Sequence, residues 1–302
     1  MTYVNPFNCP TEYQNSLEEF DGDRNSQDLG QFTASTLSKN PREVALINQH
    51  KDAIETDVRD RFKIWLGQAI HLVLSSNAHS NAIVEKRISI TFKPDGFPSI
   101  KLSGQIDKIQ NGILTDYKTT TTNNPNFKRG IVPYEYEAQL NVYDYLCRCN
   151  SINVTDLEIE VVYIDWNKTY TDRSGYPQSP FQTIPVQKWS ELDQEKYIHD
   201  RLAKHYAAKT QLPLCSDAER WYSDEKFAVM KPDRKSAIRV FDSNDDAMDA
   251  IANCKDVLGA SYTKHKDKLY VDFRPGEYKK CENFCDAAPF CSQHNTFMEA
   301  AE

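Results

Sequence analysis

Residues 103–121 read SGQIDKIQNGILTDYKTTT, two segments of alternating apolar and polar side chains joined by Asn111-Gly112. Alternation with a period of two is typical of half-buried β-strands, and Asn-Gly is a preferred two-residue hairpin turn. The stretch therefore predicts an antiparallel hairpin. Side chains two residues apart on a strand share a face, so Asp116 and Lys118 should point to one side. With Asp107 on the partner strand, two carboxylates and an ammonium group can converge there.

Periodic segments surround this hairpin. Helical periodicity is found in residues 41–77 (two helices), 134–150, 188–209 and near 245–257, and strand-like alternation in residues 82–92, 98–109, 112–120 and 157–166. This order predicts an α/β fold, with a mixed central sheet flanked by helices. We expect a loosely ordered segment over residues 1–40, a core domain over 41–210, and a cysteine-rich region over 211–302 that packs on the core.

Composition limits the class of protein further. The chain has 302 residues, of which 39% are hydrophobic, and its formal net charge is −8. No apolar run of about 18 residues predicts a membrane span, and the start MTYVNPFNCPTEYQ lacks the pattern of a secretory signal. A cytoplasmic protein is therefore expected. The negative charge disfavours a uniformly basic nucleic-acid-binding surface, although basic residues concentrate in 85–93 and 226–239.

Asp107, Asp116 and Lys118 suit the hydrolysis of a phosphodiester. Carboxylates bind hard divalent cations such as Mg²⁺, which lower the pKa of bound water and stabilise a leaving oxygen. The Lys118 ammonium could contact the attacking water or the scissile phosphate, and the backbone carbonyl of Tyr117 is a further candidate ligand. The alternative is a surface hairpin with a cross-strand salt bridge, which an isolated D-x8-D-x-K pattern usually indicates.

Neighbouring motifs add candidates to this set. His71, in GQAIH, lies on the apolar face of a predicted helix, as a packed core histidine or as an additional metal ligand. Gln139 and Tyr143 share a helix face because they are four residues apart; they belong either to an ordinary amphipathic helix or to the site. Glu85 could supply another carboxylate, but a solvent-facing position is favoured.

Taken in order, the motifs resemble the RecB-like branch of the PD-(D/E)XK nuclease superfamily. They are Gly67-x-x-x-His71, Gly104-x-x-Asp107, Asp116-Tyr117-Lys118-Thr119 and Gln139-x-x-x-Tyr143. The resemblance implies a restriction-endonuclease-like core and metal-dependent cleavage of DNA, usually exonucleolytic. One departure is that many members have glutamate where this chain has Asp116.

The same resemblance implies roles for these residues. His71, Asp107 and Asp116 would bind Mg²⁺ or Mn²⁺, and Lys118 would be the catalytic lysine. Gln139 and Tyr143 would be the helix motif that supports the site and the substrate.

The eight cysteines suggest a second metal site. In a reducing compartment, closely spaced thiols favour metal binding over disulfides, and CENFCDAAPFC supplies Cys281, Cys285 and Cys291. A fourth ligand is needed, and Cys215 is preferred to Cys9. Some RecB-like nucleases, including CRISPR-associated exonucleases, are similar in holding a 4Fe-4S cluster with such a triad and a distant cysteine. Here the first gap is one residue longer, and Cys215 follows the core instead of preceding it. A 4Fe-4S cluster is favoured, with zinc as the alternative.

Residues 226–241 interleave basic and apolar side chains and predict a hairpin that contacts DNA phosphates. The candidate contacts are Lys231, Arg234, Lys235 and Arg239. The alternative is a solvated charged hairpin. Trp221 and Tyr222 could stack on bases, although a buried position is favoured for both.

These observations predict a metal-dependent DNA exonuclease that acts on single-stranded or duplex ends. The setting would be recombination, repair, phage DNA metabolism or CRISPR processing, with proteins of those pathways as candidate partners, and the host cytoplasm would be its location if a phage encodes it. The alternative is a catalytically silent DNA-binding or assembly subunit that retains the fold. The intact acid–acid–lysine set argues against that alternative, because an inactive relative would be free to lose any of the three.

Overall fold

The computed structural model describes residues 2–26, 32–94 and 96–301. The chain divides into two compact units, Met1–Pro213 and Leu214–Glu302, each described by itself below.

The first unit contains eight strands and seven α-helices among its described residues. The strands are β1 Thr2–Val4, β2 Phe32–Thr33, β3 Glu55–Asp57, β4 Ile83–Phe92, β5 Ile100–Gln110, β6 Ile113–Thr120, β7 Asp156–Tyr163 and β8 Phe181–Val186. The helices are α1 Thr11–Ser26, α2 Ala34–Ser38, α3 Pro41–His50, α4 Phe62–Ser76, α5 Pro125–Lys128, α6 Tyr134–Cys149 and α7 Glu191–Ala207.

Six strands form the central sheet. Its order is β2-β5-β6-β7-β8, and β4 pairs with the other edge of β5. Strands β4, β5 and β6 are antiparallel to one another in succession, whereas β6 and β7 are parallel and are connected through α5 and α6. The predicted mixed central sheet flanked by helices is therefore confirmed.

The predicted hairpin is formed by β5 and β6. Both turn residues, Asn111 and Gly112, have positive φ angles of 53° and 82°, as a type I′ turn requires. A side chain at position 112 would also collide with Thr155, since its Cβ would lie 2.9 Å from Thr155 Oγ1. The Asn-Gly sequence therefore suits both the turn itself and its close contact with Thr155.

One edge of β5 is only partly paired. At one end of the strand Gln110 pairs with Ile113 and Lys108 with Thr115 of β6, and at the other end Leu102 and Ser103 pair with β2. Within the described residues, the stretch 104–107 has no ladder partner on this edge. The sheet is therefore open at the position of Asp107.

The hydrophobic core lies between the sheet and the helices that cover it. Ile106 and Leu114 of the hairpin, Leu146 of α6, Ile159 of β7 and Leu202 of α7 are all fully buried. Since α6 connects two parallel neighbours and must pack back on the sheet, its apolar face covers the hairpin strands.

The N-terminal segment contributes to this core, whereas a loosely ordered segment is expected from the sequence. β2 pairs with β5, and Ala34 and Leu37 of α2 are fully buried. A two-residue strand and a five-residue helix are too short for their periodicity to be recognised. Residues 27–31 of the segment lie outside the described residues.

The second unit contains smaller elements. Its strands are β9 Tyr222–Ser223, β10 Lys226–Met230, β11 Arg239–Phe241, β12 Tyr270–Arg274 and β13 Glu277–Tyr278, and its helices are α8 Asn244–Ala252, α9 Cys254–Val257, α10 Lys279–Asn283 and α11 Ser292–Ala301. β10 is the middle strand of a three-stranded antiparallel sheet, and β9 pairs with β13.

In the part of the chain that the structure describes, no helix is both long enough and apolar enough to cross a membrane.

Candidate active site

The two predicted carboxylates lie where the β5–β6 ladder ends. Continuing the register beyond Lys108–Thr115 brings Asp107 level with Asp116. Beyond that point the strands no longer share backbone hydrogen bonds. Instead, the Oδ2 atom of Asp107 accepts a hydrogen bond of 2.8 Å from the backbone N–H of Tyr117. Asp107 is only 9% exposed and Asp116 only 3% exposed. Two buried acidic groups, one on β5 and one on β6, therefore lie where the ladder between these strands ends.

His71 reaches this edge from α4. Its Nδ1 atom lies 3.5 Å from Oδ2 of Asp107, and its Nε2 atom lies 3.1 Å from the carbonyl oxygen of Tyr117. α4 approaches β6 closely at Gly67, where a Cβ atom would lie 3.3 Å from Oγ1 of Thr119. The predicted motif Gly67-x-x-x-His71 thus combines a close contact between helix and strand with an imidazole one turn later.

Glu85 joins the same group. The register of β4 with β5 places it opposite Asp107, between the pairs Val84–Lys108 and Lys86–Ile106. Its backbone has a φ of 47°, a strained value for a residue with a side chain, and such residues cluster at functional sites. The Glu85 side chain is 32% exposed, so it keeps partial contact with solvent while it lies beside Asp107.

Only one of the two carboxylate oxygens of Glu85 accepts a hydrogen bond from the described residues. Its Oε2 atom accepts a hydrogen bond of 2.7 Å from Gln105, while Oε1 is buried and has no hydrogen-bond partner among the described residues. Oε1 lies 4.0 Å from Nδ1 of His71. A buried carboxylate oxygen without a donor is costly unless another group satisfies it.

His71, Glu85 and Asp107 are the one group in the described structure whose ligand atoms all lie within 4.8 Å of one another and could hold a metal ion. Two carboxylates and an imidazole suit a divalent cation. A cation here would satisfy the unpartnered oxygen of Glu85, and the Nε2–H of His71 can donate to the Tyr117 carbonyl, as the second nitrogen of a metal-ligating histidine commonly does.

Burial and charge act in opposite directions on His71. Burial lowers the pKa of His71, but the hydrogen bond to Asp107 and the negative charges of Asp107, Asp116 and Glu85 outweigh burial and raise it above its usual value. This field favours positive charge between the carboxylates.

Asp116 forms a buried ion pair with Lys118, two residues further along β6. Burial and the charge of Asp107 raise the pKa of Asp116 to about 6 even though the ammonium of Lys118 opposes that shift. Burial also acts against the charged form of Lys118, but Asp116 and Asp107 outweigh it and raise its pKa above the usual value. Lys118 therefore stays an ammonium group, and its Nζ lies 4.8 Å from the centre of the Tyr136 ring.

Gln139 and Tyr143 lie on α6 next to this pair. The amide of Gln139 donates a hydrogen bond of 2.7 Å to the hydroxyl of Tyr143. Burial and the charges of Asp116 and Asp107 raise the pKa of Tyr143, so the hydroxyl stays protonated. Gly104 leaves room for the Tyr143 ring. α6 therefore places two neutral hydrogen-bonding groups next to Asp107 and Asp116.

A cleft of about 1170 Å³ connects these groups. The site residues that line it are His71, Glu85, Asp107, Tyr117, Lys118, Gln139 and Tyr143. The structure therefore brings these sequence candidates into one cavity, with Asp116 held beneath by its pair with Lys118. Tyr136 and Gln105 also line the cleft; neither belongs to a recognised motif, and Gln105 is identifiable only through the register of β4 with β5.

The cysteine candidates lie in different units. Cys281, Cys285, Cys291 and Cys215 are in the second unit, and Cys9 is in the first. The side chain of Gln293 ties the backbone of Cys215 to the segment after Cys291, with hydrogen bonds of 2.8 and 2.9 Å. Arg220 Nε lies 3.5 Å from the sulfur of Cys281.

The candidate phosphate contacts lie around the β10–β11 connection. Arg234 donates a hydrogen bond of 2.6 Å to the hydroxyl of Tyr262, and Arg239 donates one of 3.1 Å to the carbonyl of Val257. Lys235 is exposed and Lys231 is half-buried. Trp221 and Tyr222, for which a buried position is favoured, are 44% and 42% exposed.

The geometry and the sequence agree with a known family. A family model of the PD-(D/E)XK nuclease superfamily matches residues 17–292. Because this match spans most of the chain, the protein belongs to the PD-(D/E)XK nuclease superfamily. Membership supports a nuclease, and PD-(D/E)XK nucleases use divalent metals. The comparison with curated proteins finds no match.

Solved structures with partial similarity include three examples. SSO0001 is 18% identical with a TM-score of 0.44, over 65% of this chain and 86% of that one. The alkaline exonuclease LHK-Exo from Laribacter hongkongensis is 14% identical with a TM-score of 0.37, over 64% and 94%. The phage-related exonuclease from Haemophilus somnus 129PT is 10% identical with a TM-score of 0.25, over 65% and 80%. At these scores, the assignment rests on the family match.

Proposed function

We propose that this protein is a Mg²⁺- or Mn²⁺-dependent deoxyribonuclease of the RecB-like branch, acting from DNA ends. The observation that carries the proposal is the convergence of the His71–Glu85–Asp107 group and the Asp116–Lys118 pair in one cleft. The buried, unpartnered Oε1 atom of Glu85, on the neighbouring strand β4, supports a cation at this site.

His71, Glu85 and Asp107 would hold the cation, with Asp116 and the Tyr117 carbonyl as further ligands. When bound, the ion supplies an activated water molecule and stabilises the charge on the leaving oxygen. The residues of the chain create its site: Tyr117 N–H orients Asp107, and Gln105 orients Glu85. Since these partners are fixed before binding, little reorganisation is needed.

Lys118 is the positive group of the site. It is an ammonium that Asp116 holds in place, and it lines the cleft. An ammonium in this position can donate to a non-bridging phosphate oxygen or orient the attacking water, which stabilises the charge that develops in the transition state. Tyr143 and Gln139 supply neutral hydrogen-bonding groups beside it, and these can position the phosphate without adding negative charge.

The biological setting follows from this proposed activity. An enzyme that degrades DNA from ends would serve recombination, repair, phage DNA metabolism or CRISPR processing, in the cytoplasm and with proteins of those pathways as partners.

The test is a cleavage assay on end-labelled linear and circular DNA, both single-stranded and duplex, with Mg²⁺, Mn²⁺ or EDTA. We expect metal-dependent loss of linear DNA but not of circles. Asp116→Ala and Lys118→Ala should each lower the rate by at least about 100-fold. Lys108→Ala is the matched control: its Nζ lies on the neighbouring strand, 5.6 Å from the centre of the Tyr117 ring, and its removal should leave the rate within about twofold.

Each other outcome has a defined meaning. Cleavage of circles would make the enzyme an endonuclease. DNA binding without cleavage, by folded protein supplied with metal, would support the catalytically silent subunit instead. Equal losses in Lys108→Ala and Lys118→Ala would remove Lys118 from the site.

We also propose that the second unit holds a 4Fe-4S cluster on Cys215, Cys281, Cys285 and Cys291. The four cysteines belong to one unit, and the side chain of Gln293 holds the backbone of Cys215 next to the segment that follows Cys291. Four thiols that belong to one unit support a shared metal site, with zinc as the alternative to the cluster.

Anaerobic purification followed by absorption spectroscopy and iron, sulfide and zinc analysis tests this assignment. Iron and sulfide should be present in equal amounts, and Cys215→Ser should remove them while Cys9→Ser should not. The reverse result would make Cys9 the fourth ligand, and one zinc per chain without sulfide would establish the alternative site.

Lys231, Arg234, Lys235 and Arg239 are the proposed phosphate contacts of the second unit. Replacing exposed Lys235 by alanine should reduce the slope of the logarithm of the DNA-binding constant against the logarithm of salt concentration by about one. Lys226→Ala is the control, because its ammonium is already paired with Asp242 at 2.5 Å. An unchanged salt slope for Lys235→Ala would exclude the contact.

A further inference from the structure

The helix that carries His71 is apolar but has no buried residue. α4 reads FKIWLGQAIHLVLSS, and Ile64, Leu72 and Val73 are 49%, 68% and 61% exposed. A helix beside a sheet normally buries its apolar side chains. Grouped exposed apolar side chains mark binding surfaces, so α4 requires an explanation that its packing on the sheet does not give.

Several of these side chains line the catalytic cleft. Ile64 and Leu72 are eight residues apart and therefore lie near one face of the helix, and Trp65 and Ala69 lie between them. Val73 is not among the described residues that line the cleft. We call Ile64, Trp65, Ala69 and Leu72 the α4 wall.

The α4 wall is partly fixed in place. The indole N–H of Trp65 donates a hydrogen bond of 2.9 Å to the hydroxyl of Ser16. The Tyr13 ring meets the indole edge-on at 5.4 Å, and the Phe62 ring stacks on it at 6.1 Å. A side chain held this way loses little freedom when it binds a ligand.

Polar and charged groups line the same cavity as this apolar wall. Lys118, Arg87 and the acidic group line the cleft, and these are the groups that bind phosphate directly or through a cation. A ligand that fills the cleft must therefore present anionic phosphate and an apolar surface together.

This combination distinguishes unpaired from paired DNA. A duplex stacks its base faces inside the helix and presents phosphates and groove edges. An unpaired strand exposes its base faces, which bind apolar and aromatic side chains while the phosphates bind cations. Only the unpaired strand offers both surfaces to a cleft of this kind.

We propose that the α4 wall binds the unpaired bases of a DNA strand, so that DNA enters the catalytic cleft as a single strand. The proposal rests on the proposed nuclease function and assigns its substrate. It also explains why Ile64 and Leu72, which line the cleft, are left exposed.

The test measures binding in EDTA, where wild-type protein cannot use a metal to cleave. Three labelled probes of equal length are compared by fluorescence anisotropy: a thymidine strand, a strand of abasic sites with the same number of phosphates, and a duplex. Wild-type protein should bind the thymidine strand at least about fivefold more tightly than the abasic strand. It should bind the duplex more weakly than the thymidine strand.

Leu72→Ser is the informative variant, because a side chain that is 68% exposed can be shortened without affecting folding. It should weaken binding of the thymidine strand by about fivefold and leave the abasic strand unchanged. Val73→Ser is the matched control, since Val73 is similarly exposed on the same helix but lies outside the α4 wall. This variant should bind the thymidine strand and the abasic strand as tightly as the wild-type protein does.

Three results would overturn the proposal: equal binding of thymidine and abasic strands, equal effects of the two serine variants, or tighter binding of the duplex. A dimer of the wild-type chain that Leu72→Ser dissociates, with DNA binding unchanged, would assign the α4 wall to a second copy of the chain. Cleavage of DNA separates this proposal from the proposed function. If the protein binds bases but does not cleave DNA, the role of the α4 wall stands and the proposed nuclease function is rejected. If it cleaves DNA but binding does not depend on bases, the nuclease function stands and the role of the α4 wall is rejected.

Discussion

The ring of Tyr143 lies directly against the backbone of Gly104. A Cβ atom at position 104 would lie 2.6 Å from Cε1 of the ring and 2.7 Å from Cδ1, closer than carbon atoms can approach. Tyr143 is only 6% exposed, so the ring cannot move into solvent. This contact sets the distance between α6 and β5, and Asp107 follows Gly104 by three residues.

Replacing Gly104 by alanine should therefore destabilise the protein. Overpacking a filled core typically costs about 1–3 kcal/mol, and a displaced Tyr143 would also move its hydroxyl relative to Lys118. We expect a loss of that size in the free energy of unfolding, measured with urea, and a lower cleavage rate. In a Tyr143→Ala background, the same Gly104→Ala change should cost clearly less, because the ring is gone and only Cδ1 of Leu146, 3.1 Å from the new Cβ, remains in close contact. Equal costs in both backgrounds would show that the ring is not the obstacle.

Glu85 gives a prediction about metal binding. If its unpartnered Oε1 atom is a ligand, Glu85→Gln should weaken Mn²⁺ binding by about tenfold or more, as measured by calorimetry or by the electron spin resonance of free Mn²⁺. Glu160→Gln serves as the comparison: the register places Glu160 beside Tyr117, on the strand face opposite to Asp116 and Lys118. An unchanged affinity for Glu85→Gln would limit the ligands to the residues named by the motifs.

Glu85 also shows where sequence reasoning ends. The alternation around Asp107 and Asp116, with Asn-Gly between them, predicts the hairpin and the shared face because both properties are local. The place of Glu85 depends on the pairing of β4 with β5, and its backbone conformation is one that a glutamate rarely adopts. Neither property can be read from neighbouring residues.

His205 predicts how stability depends on pH. Burial, opposed by a hydrogen bond to Leu37, lowers the pKa of His205 to about 4, below the value of about 6.5 in an unfolded chain. Below pH 6.5 the unfolded chain takes up a proton that the folded chain excludes, so the free energy of unfolding falls as the pH falls. Between pH 6.5 and 5 this amounts to about 1.5 kcal/mol.

The variant His205→Gln should remove that part of the pH dependence while keeping a donor for the carbonyl of Leu37. Urea unfolding at pH 5, 6 and 7 measures it. His199→Gln, at an exposed position on the same helix, should leave the pH dependence as in the wild type. If both variants keep the wild-type slope, His205 is not the group that titrates.

A second buried network supports α6 and α7. The carboxylate of Asp144, which is 4% exposed, accepts a hydrogen bond of 2.7 Å from Gln194 and lies 3.0 Å from Nζ of Lys188. Lys188→Met would leave this carboxylate without its cation and should cost about 2 kcal/mol, below the range for fully buried pairs because Lys188 is itself partly exposed. Adding Asp144→Asn should restore part of the loss.

The comparison for this pair is Glu191→Gln, which removes an ion pair with Arg148 at a position where Glu191 is 72% exposed. Exposed pairs contribute about 0–1 kcal/mol, so urea unfolding should change little. A larger loss for Glu191→Gln than for Lys188→Met would contradict the assignment of the buried network.

The parts of the chain that were hardest to predict depend on distant partners. β2 has two residues and exists because β5 offers an open edge. Trp221 and Tyr222 are exposed in the second unit, although large aromatic side chains favour a buried position. In each case the determining contact lies many residues away, beyond the reach of periodicity.

The two-residue turn at Asn111-Gly112 also limits how the chain can change in length. Strand side chains alternate between faces, so one residue added to the turn would slip the register and send either Asp107 or Asp116 to the opposite face of the sheet. An addition after Thr120, where β6 has ended, would leave both carboxylates in place. Insertions and deletions should therefore be excluded between Asp107 and Lys118 and tolerated in the loop that follows β6.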